Sequence, residues 1–170
     1  MKISLNWLKK YVDIKVSNED LIRLIGARLV EVEGVIDETY KYDKIYVARV
    51  EAAEKIEGTH LTLCKINVGE AGKELAKVEA DENGLVQVMC GAPNVRVGML
   101  AVWIAPGAVV PASVHEDAPF VIGKRKMLGK YDSYGMLAGA DELDFDDKHE
   151  KIAEIDPEVA QPGELLADVF

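Results

Sequence analysis

The fold is decided by the stretch Leu85-Val86-Gln87-Val88-Met89-Cys90-Gly91-Ala92-Pro93-Asn94-Val95-Arg96-Val97-Gly98-Met99-Leu100-Ala101-Val102-Trp103-Ile104-Ala105-Pro106-Gly107. Two apolar runs, Leu85–Cys90 and Leu100–Ala105, are separated by turn residues and closed by Pro106-Gly107. From Leu85 to Ala112 the only charge is Arg96. Short apolar runs rich in β-branched residues and bounded by Gly and Pro read as strands. Gly91-Ala92-Pro93-Asn94 between them can hold a tight turn that presents Asn94 and Arg96 outward, as polar groups at the mouth of a barrel. Working outward, the same pattern marks Ile45–Val50, Leu61–Val68, Phe120–Ile122 and Lys151–Ile155 as further strands. Their punctuation is Glu57-Gly58, Gly69-Glu70-Ala71-Gly72, Asn83-Gly84 and Gly123. Strands this short and this closely spaced favour a small barrel over a parallel α/β sheet. Gly72–Asp81, rich in Ala, Lys and Glu, reads as a helical turn or a polar hairpin tip.

Before the barrel, Leu5, Leu8, Tyr11 and Val12 fall on one face of a short helix. Ser17, three residues before Asp20, marks the start of a second helix carrying Leu21, Leu24 and Ile25. Gly26 reads as its break, and the alternation Val30-Glu31-Val32-Glu33 reads as a strand. Residues 1–38 therefore form one element, too small to enclose its own apolar face and expected to serve as an interface. Residues 39–155 form the barrel, and 156–170, ending in Leu165, Leu166, Val169 and Phe170, form a segment returning towards the first element. The expected class is α+β: a small helical and strand element followed by a five-stranded β-barrel.

The 170 residues leave room for one ordinary domain or two small ones. A hydrophobic fraction of 49% with 29% charged residues excludes wholesale disorder. No apolar run approaches the roughly 20 residues of a membrane helix, the N-terminus is too polar for a signal peptide, and two distant cysteines, Cys64 and Cys90, point to a reduced, cytoplasmic protein. Catalytic signatures are missing: there is no Gly-rich phosphate loop ending in Lys-Ser/Thr, no Gly-x-Ser-x-Gly and no His-Glu-x-x-His. His60, His115 and His149 lack ligand partners at helical spacing, and the acids around Asp144–Asp147 lack the spacing of a calcium loop.

A net charge of −10 argues against a dedicated nucleic-acid binder, and nothing points to DNA. The charge is uneven, however: Lys124, Arg125, Lys126 and Lys130 follow one another with no acid between them. Alternation along a strand puts Lys124 and Lys126 on one face and Arg125 on the other. Such a strip either meets phosphate or is a solvated edge that discourages aggregation.

The motifs, taken in order, resemble the N-terminal portion of bacterial phenylalanine–tRNA ligase β chains. They run from Met1-Lys2-Ile3-Ser4, Trp7-Leu8 and Tyr11-Val12 through Glu31-Val32-Glu33-Gly34-Val35 to Leu63-Cys64-Lys65-Ile66-Asn67-Val68-Gly69. Then follow Cys90-Gly91-Ala92-Pro93-Asn94-Val95-Arg96 with Gly98-Met99, Pro106-Gly107-Ala108-Val109-Val110-Pro111, Ser133-x-Gly135-Met136-Leu137 and Glu142-Leu143. The resemblance implies that the barrel is a tRNA-binding oligonucleotide-binding (OB) fold within an α2β2 enzyme that joins phenylalanine to tRNA with ATP and Mg2+. It implies that catalysis lies outside these residues, which need no cofactor of their own. Any RNA contact is expected to be weak and electrostatic, through Asn94, Arg96, Lys124, Lys126, Lys130, Ser133 and Met136. The alternative is a stand-alone tRNA-binding or structural, dimer-forming OB module.

Overall fold

The computed structural model describes residues 3–9, 11–147 and 151–169. Residues up to 38 form one compact unit and Thr39–Val169 another. Met1, Lys2, His149 and Phe170, named above, lie outside the described residues.

The first unit holds α1 (Leu5–Lys9) and α2 (Asn18–Arg28). Ser17 caps α2, its Oγ accepting the Asp20 N–H at 3.1 Å, and Glu19 and Asp20 place negative charge at the positive end of the helix. Two expectations are corrected here. Gly26 does not break the helix, which runs on through Ala27 and Arg28. A glycine costs about 1 kcal/mol inside a helix and ends one only when it sits where the chain must turn left-handed. Val30–Glu33 forms no strand among the described residues, because alternation gives a strand only where a neighbouring chain completes the ladder. Neither helix has a fully buried residue. Trp7 and Tyr11 meet edge to face at 5.0 Å yet stay 59% and 71% exposed.

The second unit is a nearly closed five-stranded antiparallel barrel. Its strands are β1 (Ile45–Lys55), β2 (Thr62–Asn67), β3 (Val86–Cys90), β4 (Leu100–Ile104) and a last strand split by Gly135. The halves of that last strand are β6 (Tyr131–Tyr134) and β7 (Met136–Leu137); β6 also forms a hairpin with β5 (Lys124–Met127). The helix α3 (Gly69–Ala76) lies between β2 and β3 and takes up the first half of the ambiguous Gly72–Asp81 stretch, while the second half is irregular, with Ala80 bridging to Val86. The ladder order is β3-β2-β1-β4-β7. The gap between β3 and β6 is spanned by side chains: Ser133 Oγ accepts Met89 N–H at 3.0 Å, and Gln87 Nε2 donates to Asp132 O at 2.8 Å. This strand order, with β1 shared between two neighbours, is that of an OB fold. Trp103 lies at the seam, donating its indole N–H to Tyr134 O at 2.9 Å. Gly135, with φ 83°, leaves no space for a Cβ, which would overlap Trp103 Nε1 and the Ile104 carbonyl.

The barrel has apolar packing on two sides. Inside lie Tyr46, Ala48, Val50, Cys64, Ile66, Val86, Val88, Ala101 and Trp103. The alternate residues of β1 and β4, namely Ile45, Val47, Leu100, Val102 and Ile104, are buried outside the barrel against Ala108, Val110, Ile122, Leu143, Ile155 and Leu166. Both faces being covered, all of β4 is buried, which explains its uninterrupted apolar reading. Ile122 and Ile155 join this outer layer and Ile152 the inner one; their segments pair through isolated bridges, Val109 to Val121, Gly139 to Ile152 and Ala101 to Glu154, rather than as full strands. The closing segment packs on the barrel too: α4 (Leu166–Val169) buries Leu166, and Gly163 and Glu164 exchange backbone hydrogen bonds with Val47.

Candidate nucleic-acid interface

Burial alternates along β2 and into β3, until Met89 is buried as well. Cys64, Ile66, Val86 and Val88 point inward, while Leu63, Lys65, Asn67 and Gln87 are half-buried on the outer side. This side, unlike that of β1 and β4, carries no second apolar layer. It is the side on which OB folds generally bind oligonucleotides. Lys65 there is neutralised by Asp81 at 3.1 Å. Two backbone N–H groups, of Leu85 and Asn83, also bond Asp81, and these with Lys65 hold its carboxyl below the ordinary range.

The candidate residues fall into two groups. Asn94 and Arg96 are engaged with the chain itself. Asn94 Nδ2 donates to Ile152 O at 3.0 Å while its Oδ1 accepts Ile152 N–H at 3.1 Å, and Arg96 pairs with Glu154. Together they fasten residues 151–155 to the 91–96 turn. Ser133 is buried, with its Oγ bonded to Met89 N–H, and Met136 is half-buried beside Ile104 and packs on the outer apolar layer.

The cations of β5 and its turn are surface groups. Lys124 is held from several sides: Asp132 Oδ2 at 3.2 Å, Glu79 at 3.8 Å, and the Tyr134 ring at 4.6 Å. Its hydrogen bonds to Tyr134 and Asp132 raise its pKa above the ordinary lysine range. Tyr134 in turn donates to Glu79, which raises the phenol's pKa. Lys126 is exposed opposite Asp132 in the ladder, and Lys130 lies 4.7 Å over the Tyr131 ring. Arg125, on the other ribbon face, lies 5.6 Å over the Phe120 ring. Among the described residues Arg125, Lys126 and Lys130 have no carboxylate within ion-pair distance. The turn that presents them is closed by Lys130 N–H to Met127 O at 3.2 Å, with Leu128 (φ 50°) and Gly129 (φ 71°) both left-handed. Of the paired acids, Glu79, Glu154 and Asp81 are distant in sequence from their cations, while Asp132 lies across the hairpin from Lys124; the reading above missed all four. Phe120 was missed as well, having been counted only as a strand start.

Comparison with curated proteins decides which OB-fold lineage this is. The chain is 35% identical over 169 residues to a phenylalanine–tRNA ligase β subunit from Streptococcus pneumoniae, a match that spans 96% of the chain and 19% of that subunit. It is 34% identical over 172 residues to the subunit from Symbiobacterium thermophilum, with 100% of the chain and 17% of that subunit covered. With the Paramagnetospirillum magneticum subunit it shares 32% over 167 residues, or 98% of the chain and 18% of the relative. The chain is homologous to the N-terminal portion of the phenylalanine–tRNA ligase β subunit. It spans less than a fifth of the length of these relatives, and no family model matches it. Such homologues are subunits of a ligase. Among the described residues no group of three or more His, Cys, Asp or Glu is arranged to hold a metal ion. No helix there is long and apolar enough to cross a membrane.

Proposed function

We propose that this chain provides the OB barrel of a phenylalanine–tRNA ligase β subunit and that the β5–β6 hairpin touches tRNA phosphates. The observation that carries the reading is the homology over 96–100% of this chain, and the trio Arg125, Lys126 and Lys130, which has no carboxylate partner among the described residues, supports it. The ligase chemistry, with its ATP, Mg2+ and α-chain partner in an α2β2 assembly in the cytoplasm, belongs to the rest of the enzyme; among the described residues here no cluster of donors is arranged for Mg2+. Of the candidate residues, Lys126 and Lys130 keep an RNA-contacting role, and Arg125 joins them. Asn94, Arg96, Ser133 and Met136 hold the barrel together, and Lys124 anchors the hairpin through Asp132.

A salt-dependent titration of tRNA against the 170-residue chain tests this. Three phosphate contacts give a slope of about −2 to −3 in log K against log salt. The Lys126→Glu/Lys130→Glu variant is expected to lose binding without loss of thermal stability. Undiminished affinity in that variant would show that the strip is a solvated edge.

A further inference from the structure

Phe120 is a large aromatic left 46% exposed on a hydrogen-bonded backbone, beside Arg125. Its N–H donates to Ser113 Oγ at 2.8 Å and its carbonyl accepts Val110 N–H at 2.9 Å. Ser113 is itself buried in a 3-10 turn, Pro111–Ser113, and donates its hydroxyl to Val110 O. The next residues are pinned as well, by the Val109 to Val121 bridge and by Ile122 N–H to Ala108 O. Hydrogen bonds on both sides of Phe120 position its backbone before any ligand arrives, so little backbone ordering is needed on binding. Arg125 lies over the Phe120 ring, and a guanidinium so placed keeps its N–H edge available to phosphate. Every nucleobase has a π-face, and aromatic rings beside cations are how single-stranded nucleic acid is held without sequence preference.

We infer that Phe120, backed by Arg125, is a stacking site for one unpaired nucleobase of RNA, whose flanking phosphate meets Arg125. This deepens the proposed function and rests on it. Glu116 and Asp117 lie in the loop just before Phe120, so charge does not favour phosphate at the ring itself and stacking supplies the attraction there. The consequence is a separation of effects: Phe120 governs preference for bases, and the cations govern dependence on salt.

The test is a fluorescence titration of the 170-residue chain with a short single-stranded RNA carrying one 2-aminopurine, alongside an abasic strand of equal length. The wild-type chain is expected to bind the base-containing strand about ten-fold tighter than the abasic one, in line with the worth of one base–aromatic stack. It should also quench the 2-aminopurine. Phe120→Leu, which keeps bulk but not the π-face, removes both the preference and the quenching with the salt slope unchanged; Phe120→Trp retains both. Equal preference and quenching in Phe120→Leu, with binding still lost in Lys126→Glu/Lys130→Glu, overturns the stacking site and leaves the phosphate contacts standing. No binding of either strand by the wild-type chain overturns both. A dimer that dissociates in Phe120→Leu without RNA also overturns the proposal, by assigning the ring to self-association.

Discussion

Replacing Asn94 with Ala separates a structural amide from an RNA-binding one. Its side chain makes two hydrogen bonds with one residue, to the Ile152 carbonyl and from the Ile152 N–H, and Ile152 is buried. Each bond contributes about 1 kcal/mol net, and the truncation also leaves a buried donor and acceptor without partners, at a further 1–3 kcal/mol for a group that water cannot reach. The Arg96–Glu154 pair still tethers the same segment, though an exposed pair contributes well under 1 kcal/mol. The expected loss is therefore about 3–5 kcal/mol. At ordinary m-values this lowers the urea midpoint by roughly 1 M or more. The Ile152 amide should lose its hydrogen-exchange protection, while tRNA affinity of the folded variant stays within about two-fold. Asn94→Asp sharpens the test. A carboxylate still accepts the Ile152 N–H but sets negative charge against the Ile152 carbonyl, so its folded-state pKa is raised. The penalty is then full at neutral pH and relieved as pH falls through that pKa towards about 3.9, the unfolded value. An unchanged urea midpoint in Asn94→Ala combined with lost tRNA binding would refute the reasoning and return Asn94 to the interface.

Gly135→Ala places a methyl group against the Trp103 indole and the Ile104 carbonyl at a φ of 83°, and is expected to cost at least about 2–4 kcal/mol, read by urea unfolding and by altered near-UV signal from Trp103. Burial, with a smaller contribution from Cys90, pushes the Cys64 thiol up to about 12. Its stabilising effect is present below the ordinary thiol range and is lost as pH rises through the folded value. Unfolding free energy should thus fall between about pH 9 and 12, with a Cys64 share of up to about 1.4 kcal/mol per pH unit; Cys64→Ala removes that share and leaves those of the raised Cys90, Tyr46 and Tyr134. A thiol reagent should leave native Cys64 unmodified at pH 8.

The spacing of apolar runs and turn residues was enough to predict β1 to β4, because a strand buried on one or both faces must show its burial in local composition. The Ser17 cap was legible because its hydrogen bond is local, joining a side-chain oxygen to a backbone N–H three residues on. Lys124 to Lys126 read as one charged strand, yet the three cations differ in their surroundings, since Asp132 and Glu79 come from other segments. Asn94 and Arg96 looked like outward polar groups because Ile152 and Glu154 are 58 residues away. The Val30–Glu33 alternation had the periodicity of a strand but no neighbour to complete its ladder. What the sequence by itself determined was the set of surfaces each segment must bury and the local turns between them. Only the tertiary structure decided which polar groups were consumed in joining those segments and which cations were left over, because a hydrogen bond or ion pair depends on the partner brought within about 3 Å, and that partner is chosen by how the barrel closes.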